Sequence, residues 1–302
     1  MKHAGEFAAL ATAIFWTVTA LSFEAASKRV GSLSVNILRL IVGFTLLTIF
    51  NWIYRGYILP VDASGRTWFW LIISGLIGFA FGDLCLLQAF VVVGARISML
   101  MMALTPPITA MFGWLILGET LSFKSWIGMA LTVAGIALVV LRRRGPEEKL
   151  GILKTFRLGY PIWGILLGLG GAIGQGAGLV VSKYGMQGYN PFASAQIRVM
   201  AGIAGFAIIF TLMGSWSNLR RAFRDPKALG QLSTGAFFGP FLGVSFSLLS
   251  VQLTSTGIGS TIMAIVPILI IPPSVLLFKE KVTLNEILGA FLAVGGVALF
   301  FL

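Results

Sequence analysis

Three charged side chains and one amide lie well inside long apolar runs: Arg39, Asp83, Arg198 and Gln175. An isolated charge in hydrocarbon costs at least a few kcal/mol, so each must find a partner or a wet cavity. A carboxylate at that depth can take up and release a proton, or it can be the fixed partner of a buried cation. Asp83 stops about nine residues short of the end of its run, roughly 13 Å at 1.5 Å per residue, and Arg39 enters from that same side, so the two can meet. Gln175 must bond a neighbouring helix or face a cavity. Arg198 has no evident acid at its own depth. An unpaired arginine there would suit an anionic group, a carboxylate or a phosphate.

The elements that must hold these groups are helices in a lipid bilayer. The chain has 302 residues, 57% hydrophobic and 11% charged, where soluble domains carry about 25% charged residues. Ten apolar runs follow one another, from Phe7–Ala26 to Trp126–Leu141 and then from Tyr160–Ser182 to Glu286–Leu302. Each is near the ~20 residues that cross a bilayer. The fold class is therefore an all-α polytopic membrane protein with ten transmembrane helices, and its first run is a span rather than a cleaved signal. The net charge of +12 sits mostly in short loops between the runs, which is a topology signal and not a nucleic-acid footprint. One Cys and one His exclude an internal disulfide and a Cys/His metal site. No phosphate-binding loop is present, so no ATP-driven step is indicated. The spans lack the clustered His, Asp or Cys of an intramembrane enzyme, so no catalytic residue, metal or cofactor is expected.

The segment Gly78 to Val140 recurs as Gly239 to Phe301 at a constant offset of 161 residues. Gly82 falls on Gly243, Pro106 on Pro267, Glu119 on Glu280, Gly128 on Gly289 and Gly135 on Gly296. Such a duplication sets the domains: 1–145 a first five-helix repeat, 146–158 a linker, and 159–302 a second repeat. Five is odd, so the second copy enters from the opposite side, and in such inverted repeats a substrate site lies near the midplane where the two meet. Pro106 and Pro267 interrupt their helices and are candidate hinges; a static packing kink is the plainer reading. The inversion sets Arg39 and Arg198 near opposite faces. It allows two cross-repeat gates, Arg39–Glu280 and Arg198–Glu119, unless each Glu simply occupies the favourable first turn of the next helix. The small-residue strip Gly168, Gly170, Gly171, Gly174, Gly176 and Gly178 reads as helix-packing surface.

The pattern resembles the drug/metabolite transporter superfamily, specifically its EamA-type ten-helix members. Its motifs are Pro106 and Pro267, the Gly118-Glu119 junction with Glu280, the pairs Gly128–Gly135 and Gly289–Gly296, Arg39, and Gly82-Asp83. The second half departs in having Lys279 where the first has Gly118. The resemblance implies a basket of helices around a central cavity that exports or exchanges small metabolites. It adds Trp16, Met102 and Met263 as an adaptable apolar wall, completing a substrate-binding set with Asp83, Gln175 and Arg198. Methionine suits such a wall because it fits varied apolar ligands.

The expected function is secondary transport of a small organic metabolite, an amino acid or other amphipathic compound, by alternating access. A monomer in a prokaryotic inner membrane is expected. Its partners are the solute and the lipid bilayer, with no nucleic acid. The alternatives are a channel or lipid scramblase and, behind them, a lipid-modifying enzyme. The loops on the N-terminal side carry five basic residues and the other side fifteen. The positive-inside rule then puts both termini outside the cytoplasm, although relatives more usually have them inside.

Overall fold

The computed structural model describes residues 3–117, 123–142, 157–158, 160–253, 259, 262–279 and 282–301. The first two spans are α1 (Ala4–Val30) and α2 (Ser32–Arg55). Next comes α3 (Gly65–Gly75), which passes into a π-helical segment, Leu76–Asp83, and on into α4 (Leu84–Met101). A 3₁₀ turn at Met102–Leu104 leads to α5 (Thr105–Leu117), and α6 (Phe123–Val140) closes the first repeat. A two-residue antiparallel ladder pairs Leu141 with Leu158 and Arg142 with Arg157 at the base of the linker.

The second repeat starts with α7 (Ile162–Met186) and α8 (Pro191–Leu212). A short helix, α9 (Trp216–Ala222), precedes α10 (Pro226–Ala236), which enters a second π-helical segment, Phe237–Gly243, and continues as α11 (Val244–Leu253). Last come α12 (Val266–Leu269), α13 (Ile271–Phe278) and α14 (Leu284–Phe301).

The apolar run Gly65–Leu115 is 51 residues long. As one helix it would measure about 76 Å, against a hydrocarbon core near 30 Å. It folds back at Gly94, whose φ of 83° and ψ of 160° break the helix in one residue. A side chain at that φ would be strained, and glycine is not. The connection is therefore tighter than the loop expected between the third and fourth spans. With that run counted as two, the apolar helical segments of the described residues make ten crossings.

The outward faces are apolar, with Ile53, Leu166 and Leu276 among many exposed aliphatic side chains. In water such a surface would aggregate; in lipid it is the solvated face. Exposed Trp52, Trp114 and Trp126 lie near one end of the bundle and Trp163 and Trp216 near the other, as expected for interfacial belts. Inside, Phe23, Phe90, Phe206 and Phe210 are fully buried.

The glycine strip on α7 is packing surface. A Cβ on Gly174 would run into the backbone of Gly82, and one on Gly178 would come within 3.1 Å of the Gly78 Cα. The two backbones touch because neither carries a side chain there. That contact sets α7, with Gln175, directly against the first π-helical segment, with Asp83.

Candidate functional site

Trp16, Asp83, Met102, Gln175, Arg198 and Met263 all line one cavity of about 140 Å³, and Arg39, Pro106 and Pro267 line it with them. Both repeats contribute walls. Glu119 and Glu280 lie outside the described residues.

Asp83 is the centre of the polar network. It ends the first π-helical segment. Its repeat mate Val244 directly follows the second, Phe237–Gly243. π-Helical turns carry an extra residue per hydrogen-bonded ring and concentrate at functional sites. Here they occur at equivalent places in both repeats, and only the first presents a charge. Arg39 Nη2 donates to Asp83 Oδ2 at 2.5 Å, and Gln175 Nε2 donates to Oδ1 at 2.6 Å. One carboxylate oxygen is thus held by the first repeat and the other by the second. Asn36 completes the ring: its Oδ1 accepts from Arg39 Nε at 3.1 Å, and its Nδ2 donates to the Asp83 carbonyl at 3.2 Å. Asp83 and Arg39 are each 4% exposed. At that burial a bare charge would be prohibitive, and the completed network is what makes the pair tolerable.

The separation of the two arginines needs correcting. Arg39 and Arg198 were expected near opposite faces, yet both guanidinium groups lie over the ring of Phe79, at 5.9 and 5.1 Å from its centroid. Arg39 is seven residues into α2 and Arg198 seven residues into α8. Each backbone site is therefore about 10 Å in from its own face. The long side chains then reach inward to the middle rather than outward to headgroups. Phe79 offers both cations its electron-rich faces. The packing of α8 against α2 and against the first π-helical segment brings them together, and it could not be read from residue depth alone.

The hinge candidates sit where helices restart. Pro106 follows the 3₁₀ turn in the first turn of α5, and Pro267 lies in the first turn of α12. In those positions the missing N–H costs little. The Thr105 and Thr109 hydroxyls beside Pro106 are buried and without a hydrogen-bond partner among the described residues, so this stretch of the cavity wall has unused polar capacity.

Sequence reasoning missed the contacts that hold the repeats together at either end. Near the chain termini, Tyr189 donates to Asp62 Oδ1 at 2.7 Å and Arg55 Nη2 donates to Asp62 Oδ2 at 2.5 Å. Gln196 Nε2 donates to the Ile58 carbonyl at 2.8 Å. At the other end, Arg29 holds Asp225 with two hydrogen bonds of 3.0 and 3.2 Å, and Arg96 pairs with Glu286 at 3.3 Å. The signal was available: the chain has only ten acidic residues, so each one at a helix end deserved a partner search.

Outside the spans, two groups of the first clasp are shifted. Burial raises the Asp62 carboxyl, but the Tyr189 hydroxyl and the Arg55 guanidinium outweigh it and hold the group below its ordinary value. Burial, reinforced by Asp62, pushes the Tyr189 phenol up to about 12. Tyr189 therefore stays a donor at every physiological pH. Because the folded carboxyl is the stronger acid, its stabilisation is complete above the unfolded pKa and is lost as pH falls through the lowered one. Tyr189→Phe is expected to lower stability by about 1 kcal/mol near neutrality. That difference should vanish below the ordinary aspartate range, as read by thermal unfolding of both forms across pH.

Two five-helix units closing on a buried, charged cavity define a helical membrane transporter. Residues 3–141 and 162–302 match the EamA-like transporter family, and the chain belongs to that family. A Sinorhizobium sp protein described as an "Uncharacterized transporter in cobO 3'region" is 28% identical over 141 residues, which span 47% of this chain and 99% of that protein. A solved structure described only as "Crystal structure of protein" superposes with a TM-score of 0.68 at 15% identity, over 98% of this chain and 95% of its own. It shares the fold.

Proposed function

We propose that the protein is a secondary carrier that exports or exchanges a small organic metabolite, an amino acid or another amphipathic compound, by alternating access. The observation that carries this reading is a cavity to which both repeats contribute polar groups, with Asp83 held from both sides by Arg39 and Gln175. A site built at a repeat interface changes shape when the repeats rock. The aromatic and methionine walls, with Trp16, Met102 and Met263, suit a solute with an apolar body. Cross-repeat clasps at both ends fit gates that open in turn better than the open pore of a channel or scramblase. The carrier works as a monomer in a prokaryotic inner membrane, with the more basic face inward.

Proteoliposomes preloaded with unlabelled solute test the reading. Saturable, solute-stimulated counterflow is expected. Flux that rises linearly with concentration and shows no stimulation from the far side would mean a channel instead.

A further inference from the structure

We propose that the transported solute carries a single anionic group, a carboxylate in the first instance, and that Arg198 is its anchor; this rests on the carrier reading above. The charged groups lining the cavity among the described residues are Arg39, Asp83 and Arg198. Asp83 is already engaged on both oxygens, by Arg39 and by Gln175. That leaves one positive charge unmatched. Arg198 is 4% exposed, and its Nε has no hydrogen-bond partner among the described residues. Its guanidinium lies over the Phe79 ring at 5.1 Å, which Arg39 shares, and Asp83, already bonded elsewhere, acts on it through space without a described hydrogen bond.

A buried guanidinium with no carboxylate hydrogen-bonded to it is the costly half of an ion pair. Planar fork geometry makes it a good receptor for the two oxygens of a carboxylate. The rest of the cavity is built for something apolar, with Trp16, Phe90, Met99 and Met263 in its wall. Its volume of about 140 Å³ is close to that of a cavity of roughly 150 Å³ that takes up benzene. One ring or a short branched chain, with one negative group, therefore fits both volume and charge. Gly78 packs close to this group: a Cβ there would lie 3.0 Å from Arg198 Nη2, so a larger side chain at this position would push the guanidinium aside.

The test uses purified full-length protein in phosphatidylcholine nanodiscs. Thermal stabilisation is measured with phenylacetate and with its neutral isostere phenylacetamide, since a ligand of the folded state raises the melting point. Phenylacetate is expected to bind at least about tenfold more tightly, the ratio that a charge-assisted hydrogen bond supplies. Arg198→Gln should abolish that ratio. Arg198→Lys should keep the preference for the anion while weakening its binding several-fold, which separates an anchor from a merely structural arginine even if the glutamine variant fails to fold. A parallel arm in phosphatidylglycerol nanodiscs distinguishes a soluble solute from a lipid headgroup. Stabilisation by that lipid to which phenylacetate adds nothing overturns the proposal. So does the absence of any preference for phenylacetate over the amide, or a preference that survives Arg198→Gln. Counterflow of a neutral or cationic solute would overturn the anion anchor and leave the carrier reading standing.

Discussion

Asp83→Ala is expected to destabilise the folded protein by about 3–5 kcal/mol and to abolish transport. Removing one partner of a buried pair leaves the other charge uncompensated, and that is the expensive outcome. Here the loss is compounded. Arg39 and Arg198 share the ring of Phe79, and Asp83 is the acid on the cavity wall that pairs with the first and acts through space on the second. Its removal strands Arg39 and Gln175, the two groups that bond the carboxylate, in a place with little water. Denaturant or thermal unfolding in detergent gives the stability arm. Asp83→Asn keeps the shape and an acceptor for Gln175 while removing the charge, so it addresses mechanism. If the carboxylate passes protons, the asparagine form retains solute binding but loses pH-dependent transport. Normal transport by Asp83→Asn with an unaltered pH profile would show that proton coupling does not run through this residue.

The second large effect is expected at the contact between the last helices of the two repeats, α6 and α14. A Cβ on Gly296 would meet the Thr132 backbone nitrogen at 2.5 Å and the Gly128 carbonyl at 2.7 Å. These are backbone atoms that cannot step aside. The adjoining Gly295 has nothing within 4 Å of the same construction. Gly296→Val should therefore cost about 2–3 kcal/mol through overpacking, whereas Gly295→Val should be near neutral. The two variants share helix, depth and chemistry, so thermal unfolding of the pair isolates the interhelical contact. Equal melting points would mean that α6 and α14 do not meet at this place. The repeat mate of Gly296, Gly135, would meet the Ala293 nitrogen at 2.5 Å, so the contact has one glycine from each side.

The sequence made the spans, the duplication and the residues of the cavity legible for a common reason. Lipid forbids unpaired polar groups, so Arg39, Asp83, Gln175 and Arg198 stood out as soon as the apolar runs were marked. The repeated Gly and Pro positions marked close approaches and helix restarts, although not which helices they joined. Gly128, Gly135, Gly289 and Gly296 were visible as repeat mates, and their mutual contact between α6 and α14 was not. Contacts across the repeats depend on tertiary docking, which has no local signature. The same applies to the Tyr189–Asp62 and Arg96–Glu286 pairs, whose partners lie 127 and 190 positions apart in the chain. Depth along a helix fixed where the arginine backbones lie, and side-chain reach then decided that both would end at Phe79. The paired π-helical segments were equally hidden, because an extra residue in a turn changes hydrogen bonding without changing composition. Short α9, with Trp216 and Arg220, fell within what read as a basic loop.

Alternating access to the cavity is tested most directly by a single reporter thiol. Cys85 is the only cysteine of the chain, so Cys85→Ser gives a thiol-free background, and Met102→Cys then places one thiol on the cavity wall. Sealed membrane vesicles of both orientations are treated with a membrane-impermeant maleimide. Labelling is expected from either face, and saturating transported solute should slow it from both. Labelling from one face only, whichever way the solute gradient runs, would contradict a site that two inverted repeats expose in turn.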